Sequence, residues 1–213
     1  AGSLPGCASG LDSGSDQACF DLAYKMNPGV PVFSSETYPG WLTHWGEKWA
    51  RPDTASLYKE VRFLMDNKLS FNYYVIHGGT NFGFTAGANS GGKGYEPDIT
   101  SYDYDSPINE QGQPTHKFWA LRKIVASYLP EGTTLPDLPP AIPAFDIPEI
   151  TMQPFTTFWD NLPQPIVEPQ PKPFEAFGQN QGYMLYKTVL IGHKSGNLKI
   201  TDLRDYATVF LNG

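Results

Sequence analysis

The feature that most limits how this chain can fold is an alternation of two hydrophobic periods. Helical spacing, a short β-rich run, helical spacing, a second β-rich run and helical spacing again follow one another with short connections. Cys19, Leu22, Ala23 and Met26 stand at i, i+3, i+4 and i+7. Ser15 is placed to cap that segment and Asn27-Pro28-Gly29 to stop it, which predicts a helix over 15–27. The run 30–35 then reads as a buried strand ending in Glu36. Asp53 predicts a second helix to about Asn67, with Leu57, Val61, Leu64 and Met65 as its apolar stripe. The run 71–76 is the next strand, closed by Gly78-Gly79. A third helix starts near Pro114 and shows Phe118, Leu121, Val125 and Tyr128 on one face. Such an order is the grammar of βα units around a parallel sheet. Two strands do not complete a sheet, so further βα units are expected before residue 1, with the chain beginning inside a barrel or doubly wound domain.

From 129 to 174 the pattern breaks down, and twelve of the twenty prolines fall there. That stretch predicts a linker, with short strands such as Glu149-Ile150-Thr151-Met152 pinned along another domain. Past it, 183–190, 198–201 and 206–211 are alternating or β-rich runs separated by turn signals, as in the first strands of an antiparallel sandwich. The chain stops at Asn212-Gly213, a hairpin-turn dipeptide, so both ends are expected to be cuts through larger domains.

A net charge of −7 with no Lys/Arg cluster argues against a nucleic-acid partner, which needs a basic stripe. No run of about 18 apolar residues is present, so no membrane-spanning segment is expected. Cys7 and Cys19 make no disulfide framework and are read as ordinary thiols, and no Cys/His spacing resembles a zinc site. Neither a metal nor a cofactor is expected. Twelve Tyr, thirteen Phe and five Trp exceed what a core needs, and much of the surplus lies in loops, where flat amphipathic rings suit the faces of sugars.

Glu36 is the leading candidate for chemistry. A carboxylate at the C-terminal end of a parallel strand sits where barrel enzymes keep their active sites. Tyr38, Trp41, His44, Trp45 and Trp49 follow it, and a carboxylate beside aromatic rings fits attack on an anomeric carbon. The competing reading is a strand-end Glu paired with Lys48 or Arg51. Tyr74 shares a strand face with Asn72 and Ile76, where its phenol can donate to a neighbouring carboxylate or simply sit buried on a backbone partner. In Ser101-Tyr102-Asp103-Tyr104-Asp105 the phenols suit sugar hydroxyls, while the two aspartates before Ser106-Pro107 are read as turn-formers. The loop 77–113, with eight glycines, is too long for a mere connector and is expected to be functional or partly disordered. Gly78-Gly79-Thr80-Asn81 lacks the lysine and spacing of a phosphate loop, and His77 and His116 have no partner at useful spacing.

The run from Ser35 through Glu36, Tyr38, Gly40, Trp41 and Trp45 to Gly46 resembles the nucleophile segment of the family thirty-five β-galactosidases. Asn72-x-Tyr74 with Gly78-Gly79-Thr80-Asn81-Phe82 and Gly87-Ala88-Asn89 looks like that family's next strand and loop. Ser101 to Pro107 is similar to its Ser-Tyr-Asp-Tyr-Asp-Ala-Pro segment. The stretch 175–186 more weakly resembles the start of the family's first jelly-roll domain. Thr37 departs from the aromatic found in many members.

The resemblance implies an α/β fold: the C-terminal portion of a (β/α)8 TIM barrel over 1–129, a Pro-rich linker over 130–174, and the beginning of an all-β jelly-roll-like domain over 175–213. It implies a retaining exo-β-galactosidase acting on terminal β-galactosides, with Glu36 as nucleophile, Tyr74 and Tyr104 contacting the sugar, and Tyr38 and Trp41 beside it. The family's acid/base lies in an Asn-Glu pair after the fourth barrel strand. Asn109-Glu110 stands in the wrong place for it, so that residue is expected upstream and the isolated chain is expected to be inactive. An extracellular, periplasmic or lysosome-like location is implied in the same way. The alternatives are a related β-glucosaminidase or β-glucosidase, or a non-catalytic carbohydrate-binding protein.

Overall fold

A computed structural model of the chain describes residues 4–12, 16–90, 94–192, 195–204 and 206–213, and it forms two units that meet in sequence between Ile142 and Pro143. The first unit is built on three parallel strands in the order β1 (Ser9–Leu11), β2 (Val32–Thr37) and β3 (Ser70–Tyr73). Their register pairs Ser9 with Val32, Leu11 with Ser34 and Phe33 with Ser70, and an irregularity between Ser34 and Thr37 brings Thr37 opposite Tyr73. Helix α1 (Gln17–Met26) connects β1 to β2, α2 (Thr54–Asp66) connects β2 to β3, and α3 (His116–Ala126) closes the series. The mixed α/β class therefore matches the alternation of periods in the sequence. Strand β1 was not foreseen there, because Ser9-Gly10-Leu11 carries no β-branched or aromatic residue; its pairing with β2 makes it a strand.

Both of the first two helices begin on an aspartate. Asp53 accepts from Ala55 N at 3.2 Å and Ser56 N at 2.8 Å, as its position predicts. For α1 the cap is Asp16, which accepts from Cys19 N at 2.8 Å; the expected cap, Ser15, lies outside the described residues. Helix α2 buries Leu57, Val61 and Leu64, the stripe read from its spacing. On α1 the buried side chains are instead Phe20 and Ala23, with Cys19 half-buried, whereas Leu22 is 57% exposed. The face is turned by about one residue because Phe20, the larger apolar group, takes the place against the sheet. A similar turn occurs on α3, which buries Lys117, Leu121 and Ile124 rather than the face centred on Phe118. There the cause is polar: Lys117 has acceptors to reach inside.

Two apolar clusters fasten these layers. Leu11, Phe20, Ala23, Val32 and Leu64 form one, and Leu57, Val61, Leu121 and Ile124 form the other, with Phe71 packed against both. Both cysteines are free thiols. The long loop after β3 is held by a ribbon of β4 (Ala88–Asn89) with β5 (Glu96–Pro97) and by single bridges His44 to Asp98, Thr80 to Ser101 and His77 to Ile108. Its glycines therefore serve ordered turns and close approaches over the described residues.

In the second unit the described residues contain two short 3-10 turns, Trp159–Asn161 and Phe174–Phe177, and no strand. The runs 183–190, 198–201 and 206–211 are without ladder partners, and Val189, Ile191 and Leu211 are exposed. An extended run becomes a strand only when a neighbouring edge takes its amides, and among the described residues none does. Local contacts order this unit: Phe158 meets Tyr183, Trp159 meets Phe210, and the Tyr186 hydroxyl donates to Lys172 O at 2.6 Å. No helix among the described residues is long and apolar enough to cross a membrane.

The placement of α1 is open to direct test by urea denaturation followed by circular dichroism. Phe20→Ala is expected to lower stability by about 3–5 kcal/mol, and Leu22→Ala to change it by no more than about 0.5 kcal/mol. Equal losses at the two positions would contradict the observed face.

Candidate active site

Parallel strands end on one edge of a sheet, and ligands of open α/β sheets collect at that edge. Asp12 follows β1, Glu36 is the penultimate residue of β2, and Tyr74 follows β3, its amide donating to Thr37 O at 2.9 Å. Glu36 is half-buried. The Tyr38 hydroxyl donates a short hydrogen bond to Glu36 Oε2 and lies 3.2 Å from Asp12 Oδ1. One phenol thus stands between two carboxylates on adjacent strands. Burial, then the hydrogen bond to Glu36, holds the Tyr38 phenol well above the ordinary tyrosine range.

The four aromatic residues singled out in the sequence close into a circuit. Ring centroids are 5.4 Å apart for Tyr38 and Trp41, 6.2 Å for Trp41 and Tyr104, 6.0 Å for Tyr104 and Tyr74, and 6.1 Å for Tyr74 and Tyr38. Three of these pairs are edge-on, the arrangement ring quadrupoles favour. Trp41 is 46% and Tyr74 38% exposed, whereas Tyr104 is only 4% exposed and forms the floor beneath them. Tyr102 stacks on Tyr104 at 5.3 Å. Glu36 makes no ion pair with Lys48 or Arg51 among the described residues; Arg51 pairs with Asp105 at 3.0 Å. Tyr74 was considered from sequence as a donor to the carboxylate; the phenol that donates to Glu36 is Tyr38.

What holds the circuit together is backbone contact at two glycines. Trp41 N donates to Tyr104 O at 3.0 Å, and a Cβ on Gly40 would stand 1.6 Å from that oxygen. At Gly78 the same argument gives 1.8 Å to Tyr102 O. Both positions admit glycine alone at this separation. Tyr104 and Asp105 have φ of 63° and 50°, a left-handed pair that is uncommon outside glycine and stands where surrounding contacts over-determine the backbone.

Those contacts centre on Lys117, which is 1% exposed. Its ammonium donates to Pro39 O at 2.7 Å, Asp105 O at 2.7 Å and Asp105 Oδ2 at 2.6 Å, so each of its three protons has an acceptor. The lysine on α3 thereby clamps the loop of Tyr38 and Trp41 to the loop of Tyr104. Glu110 fastens the neighbouring turn: it accepts from the hydroxyls of Thr80 and Ser101, and its amide donates to Asp103 Oδ2 at 3.1 Å. Asp103 and Asp105 are thus turn and clamp residues. Asp12 and Lys117 had not been singled out in the sequence, where no local signal marked them, whereas Tyr102 had been read with Tyr104 as a phenol suited to sugar hydroxyls.

The clamp predicts that Lys117→Met, which leaves the Asp105 carboxylate with only the half-exposed Arg51 as partner, costs on the order of 3 kcal/mol and flattens the near-ultraviolet dichroism of the tyrosines. An unchanged melting curve would sink the clamp. Gly78→Ala is expected to have the same signature. Burial also pushes Tyr102 and Tyr104 upward and Tyr73 up to about 12. Because the folded form holds these phenolic protons more tightly than the unfolded chain, their contribution to stability is complete below the ordinary tyrosine range. It is lost as pH rises through the elevated values. A spectrophotometric titration should therefore show a set of tyrosines that ionises only with alkaline unfolding.

Residues 5–128 match the model of glycosyl hydrolases family 35. The chain is 37% identical over 202 residues to a β-galactosidase of Xanthomonas manihotis, an alignment covering 93% of this chain and 33% of that protein. It is 39% identical over 204 residues to β-galactosidase 17 of Arabidopsis thaliana, covering 91% and 29%. With a β-galactosidase of Felis catus it shares 33% identity over 226 residues, covering 100% and 33%. The chain thus spans about a third of the length of these relatives.

Proposed function

The chain belongs to family 35 of the glycosyl hydrolases, and from that membership we propose that it carries the nucleophile side of a retaining exo-β-galactosidase site. The observation that supports this most directly is Glu36, held by the Tyr38 hydroxyl at a strand end and walled by a closed circuit of rings. In this reading a terminal galactose lays its apolar C–H face on Trp41 and Tyr74, Tyr38 aims the carboxylate, and Tyr104 closes the wall from beneath. Glu36 attacks the anomeric carbon while the bond to the leaving oxygen breaks, giving a galactosyl ester. Water then releases galactose with the β configuration retained.

Such a mechanism requires a second carboxyl at about 5 to 5.5 Å that protonates the leaving oxygen and later takes the proton of water. Glu110, the one Asn-Glu glutamate of the chain, is committed to Thr80 and Ser101. The proposal therefore keeps the acid/base outside these residues, and the chain by itself is without hydrolytic activity. It also takes 1–129 as the C-terminal part of a (β/α)8 barrel and 175–213 as the start of a β domain. The exposed, alternating apolar side chains there are what such a sandwich buries. An extracellular, periplasmic or lysosome-like location goes with the same proposal.

A test that avoids the missing acid uses a dinitrophenyl β-galactoside fluorinated beside the anomeric carbon. Its leaving group needs no protonation, and the fluorine slows hydrolysis of the ester. Mass spectrometry is expected to find one fluorogalactosyl group on the peptide containing Glu36, and none in Glu36→Gln. Label elsewhere, or equal label in that variant, rules Glu36 out as nucleophile. Preferential labelling by the gluco or glucosamine analogue would reassign the sugar. Saturable galactose binding without any label would favour a non-catalytic carbohydrate-binding protein.

A further inference from the structure

The loop after β2 and the β4–β5 ribbon meet at a group of donors that the sugar site does not use. Trp45 N donates to Pro97 O at 2.7 Å, Ile99 N to Thr43 O at 3.2 Å and Asp98 N to Gly87 O at 2.9 Å, so the backbones on both sides are fixed. Between them stand His44, Glu47 and Glu96. One ligand atom from each lies within 4.8 Å of the other two. The His44 Nδ1 is 3.0 Å from Glu47 Oε2, and its Nε2 is 3.0 Å from the Asn89 side-chain amide and 3.8 Å from Asp98 Oδ1.

Asp98 is the second, independent observation. Its side chain is 11% exposed, and its Oδ1 is out of contact with solvent and has no hydrogen-bond partner. A buried carboxylate oxygen without a donor is costly and calls for water or an ion. The oxygen that lacks a partner lies beside the imidazole that belongs to the donor group.

We propose that His44, Glu47 and Glu96 bind a divalent transition-metal ion, beside the carboxylate of Asp98. One imidazole with carboxylates suits zinc or manganese better than calcium, whose sites are built from oxygen alone. Donors around a tetrahedral zinc with bonds of about 2.0–2.1 Å are about 3.3 Å apart. The donors come from two separate segments, so the ion acts as a brace between them. It ties the loop that carries Trp41 and Trp45 to the ribbon after β3. The donors stand at 44, 47 and 96, a spacing that no sequence pattern for zinc contains, and the Cys/His criterion applied to the sequence passed over it.

The purified protein, stripped of metal by a chelator and dialysed, is titrated with zinc chloride by calorimetry, with manganese and calcium chlorides as parallel arms. One zinc per chain is expected to bind and raise the melting temperature, since an ion that binds only the folded form stabilises it. His44→Ala and Glu96→Gln are each expected to weaken binding at least tenfold and to abolish the thermal shift. Glu96 sits on the ribbon surface, so Glu96→Gln keeps the test valid if His44→Ala unfolds; circular dichroism checks both. Cys7 is an exposed thiol and the rival zinc donor; Cys7→Ser is expected to leave binding intact. Binding that survives both the His44 and Glu96 substitutions, binding lost only in Cys7→Ser, calcium bound more tightly than zinc, or no zinc bound at all would each overturn the site.

Discussion

A buried ammonium is tolerated only where each of its protons finds an oxygen, and Lys117 meets that condition with Pro39 O, Asp105 O and Asp105 Oδ2. Those oxygens belong to segments more than sixty residues apart in sequence. Satisfying the lysine therefore joins the loop after β2 to the loop before α3. The positions of Tyr38, Trp41 and Tyr104 relative to one another follow from that junction. So does the left-handed backbone at Tyr104 and Asp105, a conformation that persists because the carbonyl and carboxylate of Asp105 are both held by the same ammonium.

The glycines at 40 and 78 complete the same construction from the other side. Lys117 draws the loops together, and the lack of a Cβ at these positions lets the carbonyls of Tyr104 and Tyr102 approach the backbone directly. The aromatic circuit is the outcome: four rings at 5.4–6.2 Å, two of them presented to solvent, with a fifth ring, Tyr102, stacked on Tyr104. A wall made in this way is rigid without a deep apolar core behind it, because its members are fixed by backbone bonds and ring edges.

Local periodicity carried a good part of this. The stripe of α2, its aspartate cap, the strand leading to Glu36 and the aromatic loop after it could all be read from spacing, since each depends on residues within one or two turns of one another. Where neighbours from elsewhere competed, spacing gave way. On α1, Phe20 displaced Leu22 from the core because the sheet offered one apolar hollow and the larger group filled it. On α3, a lysine was buried where periodicity placed Phe118, because the acceptors lay on distant loops. β1 became a strand through its partner and not through its own composition. The β-rich runs of the second unit show the converse, with strong propensity and no partner among the described residues.

The sequence by itself determined the α/β order, the carboxylate at a strand end, the aromatic loop and the family. These are properties of short segments, and short segments are read by local spacing and motif. The tertiary structure alone decided that Tyr38 donates to Glu36, that Tyr104 is a floor while Trp41 and Tyr74 are the exposed faces, and that Asp12 and Lys117 stand with these residues. Each of these rests on which groups meet across long stretches of chain. That meeting is settled by burial, backbone approach and the satisfaction of buried charge, none of which any one segment contains.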